Sequence, residues 1–323
     1  MNRKTINLNK RLGTYSYRLR KPRRLKTMTI CISTICEISQ ASRIVFCADR
    51  LVTDANGLTF EQGKPKIDFI YDNCLVMSAG RGAESDQIIA TVQRIIDEKF
   101  KKDKCPKIMD VAKIFQEELQ GLRISTIENE LLKARGLTIK EFYNNIKNFP
   151  DWLGIMLDNQ ISGFDFGVGF LIFGFDIDQK NKSVMAHLYK MDEKGNYILL
   201  DSIGFGIIGI GDIMSLPEIT RETYSPNNSL SDALVRTFWA KKSAERVVSV
   251  GNKTTDIGFM WVELSDDGSL VVKHTLIGEE FKEELSDSFN KQSDKIREIT
   301  DEIHTNIDDI LSGKKSQSLE LKQ

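Results

Sequence analysis

The chain has 323 residues, 41% hydrophobic and 28% charged, a balance that suits a soluble globular protein with a sizeable buried core. The longest apolar runs, such as FLIFGF at 170–175, fall far short of the roughly 20 residues that cross a bilayer, so a membrane-spanning helix is excluded and no membrane partner is expected. The net charge of −1 hides an asymmetry: residues 1–26 carry ten Lys or Arg and no acid, leaving 35 basic against 46 acidic residues in the rest. The acidic body repels phosphate, so nucleic acid could be held only through the basic leader.

That leader, 1–26, has no steady apolar period and is expected to be disordered or absent from the mature protein. Four readings of it stand open: an upstream start, a removable pro-segment, a transit peptide, or a nucleic-acid-binding arm. From Thr29 the pattern turns to strands. TICISTIC (29–36) and RIVFCAD (43–49) are rich in β-branched residues, joined by a polar hairpin connection. GLTFEQGKPKIDFI carries Gly and Pro punctuation, and NCLVMSAG is a short buried strand closing on Ala79-Gly80. Apolar residues at 88, 89, 92, 95, 96 and 100 then trace a helical stripe.

A second helix is predicted from about 107 to 134, and 137–163 reads as irregular and aromatic, with one further helix followed by a loop. Strands return with DFGVGFLIFGFD, SVMAHLYKMD and YILLDSIGFGIIGIG. A helix at about 229–248, with Ser229 as its N-cap, precedes a strand pair turned at Asp267-Gly268. The charged segment 278–313 has helical spacing and predicts a C-terminal helix laid on the body or on a partner, and 314–323 is expected to be a disordered tail. This grouping favours an α+β fold of two mainly antiparallel sheets between helical layers, over an alternating parallel α/β fold.

The five cysteines form no C-x-x-C pair, and His187, His274 and His304 lie far apart in sequence. Neither a metal site nor a disulfide framework is expected, and no cofactor. Four of the cysteines sit in apolar strand-like runs, which suits reduced thiols in a cytoplasmic protein.

The segments MTICISTIC, RIVFCADRLVT and KPKIDFIYDNCLVMSAGRGAESDQII, in this order, resemble the N-terminal half of the proteasome β-subunit family, which includes the bacterial HslV and Anbu. The matching positions are Thr29 at the strand opening, Asp49-Arg50, Lys66-Ile67 and Ala79-Gly80. The later segments LIFGFD, YILLDSIGFGIIGIG and VGNKTTDIGFMWVELSDDG are similar more loosely. The resemblance covers about 29–104 and 168–275, and leaves out the leader, an insertion at about 105–165 and the C-terminal helix. It implies a four-layer αββα Ntn-hydrolase sandwich over 27–277, a threonine-type peptidase acting on peptide or protein substrates, and assembly into a ring or helical homo-oligomer, with an ATPase unfoldase as a possible partner.

The chemistry explains the residue types. A threonine hydroxyl is a poor nucleophile at neutral pH and needs an adjacent base, which an N-terminal threonine carries as its own α-amino group. That amine has a reference pKa of about 7.7 to 8.0, so a useful share is neutral near pH 7.5. In the roles that the resemblance implies, Thr29 is the nucleophile, Lys66 lowers the pKa of hydroxyl and amine through its charge, Asp49 holds Lys66, and the Gly80 N–H donates to the oxyanion. Alignment with chains that open Met-Thr selects Thr29 once Met28 is removed; alignment with Thr-Thr-Thr openings selects Thr27. Asp256 is a supporting acid or a hydrogen-bonded strand-start residue.

The sequence departs from the family where the Gly-Ser-Gly turn that supplies a serine near the nucleophile is read as Gly204-Phe205-Gly206, so that helper is lost unless Ser202 or Ser249 replaces it. A catalytically silent scaffold like the α-type subunits, and an assembly module with a nucleic-acid-binding leader, are the alternatives.

Overall fold

The computed structural model describes residues 29–39, 41–53, 59–100, 105–247 and 250–312. The leader, Thr27, Met28, Ser249 and the tail from 314 lie outside the described residues.

Twelve strands form two five-stranded antiparallel sheets and a small hairpin among the described residues. The first sheet has the order β10 (Phe205–Gly209), β1 (Ile30–Cys36), β2 (Arg43–Asp49), β11 (Thr255–Leu264) and β12 (Leu270–Leu276). The second runs β5 (Ile67–Tyr71), β6 (Cys74–Ala79), β7 (Gly169–Asp178), β8 (Ser183–Met191) and β9 (Tyr197–Leu199). The pair β3 (Leu51–Thr53) and β4 (Thr59–Glu61) stands apart.

The two sheets pack face to face through Cys31, Ile35, Phe46, Leu75, Met77, Leu171, Phe173 and Leu188. On the outer side of the second sheet lie α1 (Gly82–Lys99) and α2 (Ile108–Ile127), whose Ile89, Val92, Ile96, Val111 and Phe115 meet Val76, Phe170 and Ile172. On the outer side of the first lie α5 (Asp212–Thr220) and α6 (Leu230–Ala244), where Ile219, Ala233 and Phe238 meet Ile30, Ile32 and Val45. The predicted four-layer αββα sandwich is therefore the observed fold.

Strand β1 shows why its sequence is a continuous apolar run. Side chains alternate, with Cys31 and Ile35 entering the layer between the sheets while Ile30, Ile32 and Cys36 face α6. All seven residues are buried, so both faces demand apolar groups, and truncating Ile32 to Ala would cost about 2 to 5 kcal/mol. The polar members satisfy themselves locally: Ser33 Oγ donates to Val45 O at 3.2 Å, and the Thr34 and Thr237 hydroxyls lie 3.1 Å apart.

Several elements depart from the sequence reading. The segment 137–163 forms two helices, α3 (Ile139–Asn145), closed by a capping box between Thr138 and Glu141, and α4 (Asp151–Ser162). They pack a small separate core around Phe142, Leu157 and Ile161 with Ile127 and Leu132. The stretch 197–211 splits between the sheets: Tyr197–Leu199 ends the second sheet and Phe205–Gly209 opens the edge of the first. Helix α5 was not anticipated, because nine residues containing Pro217 carry too weak a period. The Ser229 N-cap is as expected, its hydroxyl accepting from Asp232 N at 3.2 Å. The last helix, α7 (Glu279–Leu311), begins on the body and runs past it. Among the described residues no helix is long and apolar enough to cross a membrane.

Candidate active site

The start of β1, the end of β2 and the start of β5 meet at one point. Lys66, fixed behind Pro65 and just ahead of β5, sends its ammonium into the gap between the sheets. Its Nζ donates to Thr29 Oγ1 at 2.5 Å, to Asp49 Oδ1 at 2.8 Å and to the Leu51 carbonyl. These three acceptors take all three ammonium hydrogens. Thr29, Asp49 and Lys66 are 2%, 0% and 6% exposed, so the charges face each other with little water between them.

Asp49 does more than neutralise the lysine. Its Oδ1 also accepts from Ile30 N at 3.2 Å, and its Oδ2 from Gly251 N at 2.8 Å. The carboxylate thus ties together the starts of β1 and β5 and the loop before β11, and it leaves Lys66 paired and hydrogen-bonded as a buried charge requires. Thr29 shares the inward face of β1 with Cys31, whose thiol lies 3.4 Å from Ser78 O. Burial pushes the Cys31 thiol far above its usual range against the pull of Lys66, which leaves it protonated and inert beside the threonine.

A narrow cleft of about 20 Å³ is lined by Thr29, Lys66, Ser78 and Gly80, with Asp68 and Asp86 also on its wall. Gly80 ends β6 with φ of +135°, and a Cβ there would sit 2.2 Å from Gly167 O. Only glycine fits this bend. Lys64 bridges the two acids, with Nζ 2.6 Å from Asp68 Oδ1 and 3.8 Å from Asp86 Oδ1.

The structure therefore brings Thr29, Asp49 and Lys66 into direct contact and sets Gly80 on the same cleft. It turns Asp256 elsewhere. Asp256 takes a two-pronged ion pair from Arg50, at 2.7 Å from Nε and 2.6 Å from Nη2, while Arg50 Nη1 donates to Gly63 O at 2.8 Å. The neighbours Asp49 and Arg50 thus serve different partners, one the buried Lys66 and one a strut between β2, β11 and the loop before β5.

One assignment needs correction. Strand β10 runs antiparallel to β1, with Phe205 opposite Thr34 and Gly209 opposite Ile30. Gly204-Phe205-Gly206 therefore lies at the far end of β1, and Ser202 lies further still, exposed in the preceding turn. The glycine pair beside Thr29 is Gly209-Ile210-Gly211. Gly209 has φ of +109°, and a Cβ there would meet Thr29 O at 1.9 Å; a Cβ on Gly211 would press on Ile30 at 3.3 Å. The position between them is Ile210, partly buried against the α5/α6 layer, and it brings no hydroxyl. The signal was present in the sequence as a second Gly-x-Gly five residues on. Sequence reasoning also missed the Leu51 carbonyl and Gly251 N, which are backbone groups and leave no mark on residue type.

No protein-family model and no curated protein matches this sequence. Solved structures do match. An Anbu mutant from a Hyphomicrobium species superposes with a TM-score of 0.53 at 17% identity, covering 84% of this chain and 96% of that one. Anbu, described as an ancestral beta-subunit, from Yersinia bercovieri superposes with a TM-score of 0.54 at 16% identity, covering 83% of this chain and 96% of that one. The resemblance to proteasome β-type chains read from the sequence thus holds for the fold: this chain has the architecture of Anbu.

Proposed function

We propose that this chain is an N-terminal threonine amidohydrolase of proteasome type, cleaving peptide amide bonds through an acyl-threonine once the Thr29 amine is free. The observation that carries the reading is the 2.5 Å contact between Lys66 Nζ and Thr29 Oγ1 on the wall of a narrow cleft, with Asp49 holding the lysine at 2.8 Å. In the reaction, the Thr29 hydroxyl oxygen bonds to the substrate carbonyl carbon while the α-amine takes its proton. The carbonyl electron pair moves onto oxygen, and the Gly80 N–H donates to that oxyanion. Collapse breaks the C–N bond, and the amine's proton goes to the leaving nitrogen. Water then adds to the ester, giving its proton to the amine; the ester breaks, the proton returns to Thr29 Oγ1, and a carboxylic acid leaves. The Lys66 ammonium, held by Asp49, favours the forming alkoxide.

Asp68 and Asp86, with Lys64 between them as an internal cation, suit a substrate side chain that carries positive charge. Assembly of copies of this chain into a ring or helical homo-oligomer in the cytoplasm is part of the same proposal. The sequence has no Walker-type loop, so any ATP-driven unfoldase is a separate partner. Ile210 at the position between the paired glycines favours a second reading, a silent scaffold, because it removes a hydroxyl from the neighbourhood of Thr29.

N-terminal mass spectrometry of the native protein, combined with hydrolysis of peptide amides bearing Arg, Leu or Glu before the cleaved bond, separates the two. The expected result is a chain beginning at Thr29, cleavage fastest after Arg, and a loss of at least about 10³-fold in Thr29→Ala with partial activity in Thr29→Ser. Chains that all retain residues 26 to 28, or full activity in Thr29→Ala, would overturn the reading. A chain beginning at Thr27 would move the nucleophile there.

A further inference from the structure

The two halves of α7 live in different surroundings. In the first, Leu285 and Phe289 are buried against the α6 layer, with Phe289 and Trp239 rings 6.3 Å apart, and Lys282 Nζ donates to Thr255 O at 3.1 Å. From residue 294 to 309 every side chain is exposed except the half-buried Asn306 and Asp309. Yet this outer half is not polar all round. Ile296, Ile299, Ile303 and Ile307 are 49%, 50%, 51% and 46% exposed, and at 3.6 residues per turn they fall within an arc of about 80°. A projecting helix of this length draws its stability from packing such a stripe, not from propensity.

We propose that the outer half of α7 pairs antiparallel with the same segment of a second copy of this chain, about a two-fold axis at Ile303. Two features of the helix select this partner and direction. The stripe is self-complementary in reverse: with Ile303 opposite Ile303, Ile299 falls opposite Ile307 and Ile307 opposite Ile299. The charge is also divided along the axis. Lys295 and Arg297 lie at the inner end with one acid, Asp294, 3.7 Å from Arg297 on the exposed surface, while Glu298, Asp301, Glu302, Asp308 and Asp309 follow with no Lys or Arg among them. Antiparallel pairing sets Arg297 beside Asp308 and Lys295 beside Asp309 of the other copy, twice by symmetry. Parallel pairing would set the acids against themselves. The contact spans about 24 Å of helix and does not depend on the peptidase reading.

Light scattering of the full-length protein tests this. Ile299→Glu with Ile303→Glu is expected to lower the mass by at least half while far-UV circular dichroism of the body is retained. Arg297→Asp alone should weaken the association about tenfold, and Arg297→Asp with Asp308→Arg should restore it. In a Cys105→Ser background, mixing Ile299→Cys chains with Ile307→Cys chains should give the mixed disulfide. A mass unaffected by the two glutamates, or disulfides joining Ile299→Cys chains to one another in preference to the mixed pair, would overturn the proposal.

Discussion

Among the described residues two lysines are buried, and they solve the same electrostatic problem in different ways. Lys241, 0% exposed, reaches Glu245 at 2.5 Å one turn along α6. Lys66, 6% exposed, reaches Asp49 at 2.8 Å across a separation of 17 residues and adds Thr29 and a carbonyl from a third segment. The helix pair draws its partner from one turn along the chain, and Glu245 also takes Lys242 at 2.7 Å. The cleft pair exists only when three strand ends converge, and one of its acceptors is the Thr29 hydroxyl, buried but on the wall of the cleft. A buried ion pair is thus not in itself a sign of chemistry; what distinguishes Lys66 is the company it keeps and its access to the cleft.

Substitutions at the two lysines should separate these roles. Lys66→Ala is expected to abolish peptide-amide hydrolysis and to lower stability by about 3 to 5 kcal/mol in urea unfolding, because Asp49 is left as an unpaired buried charge. Residual hydrolysis within about tenfold of the parent would remove Lys66 from the mechanism. Replacing the other pair whole, Lys241→Met with Glu245→Leu, should leave hydrolysis unchanged and shift stability by no more than about 1 kcal/mol, or raise it. A loss of activity there would mean that the α6 layer shapes the cleft, and the contrast would fail.

A third ionic cluster extends the comparison to a group that titrates. His187 on β8 has Nε2 3.5 Å from Asp176 and Nδ1 2.7 Å from Asp201. Its pKa is pushed up to about 9, first by Asp176 and then by Asp201. The folded state binds this proton more tightly than the unfolded chain, so the stabilisation is fully present below about pH 6.5 and is lost as pH rises through about 9. Because Asp176 Oδ1 also accepts from Ile108 N at 2.8 Å, the cluster anchors the start of α2. The urea midpoint should fall between pH 6.5 and 9, and His187→Gln should flatten that dependence; an equal slope in both proteins would show that the cluster does not couple to folding.

Local signals carried most of the fold. Continuous β-branched runs at 29–36 and 43–49 could be read as buried strands because both of their faces are covered, and Ser229 and Asp267-Gly268 announced a cap and a turn through their own side-chain and backbone chemistry. The failures fell where local signals conflict. Helix α5 is short and holds a proline, α3 and α4 share only a small core, and YILLDSIGFGIIGIG crosses from one sheet to the other without a marked break. The site was legible as a set of residue types in order, Thr29, Asp49, Lys66 and Gly80, but the neighbouring glycine pair was placed five residues too early because strand register is not written in either strand alone.

The residues themselves, then, determined two antiparallel sheets between helices, the candidate hydroxyl, acid and lysine, and a charged C-terminal helix with an apolar stripe, all properties of alternation, periodicity and residue chemistry over short spans. Tertiary structure decided that Lys66 Nζ meets Thr29 Oγ1 and Asp49 at once, that Asp256 serves Arg50, and that Ile210 flanks the threonine. Those are contacts between segments 17 to 206 residues apart, fixed by sheet register and inter-sheet packing, which no local pattern encodes.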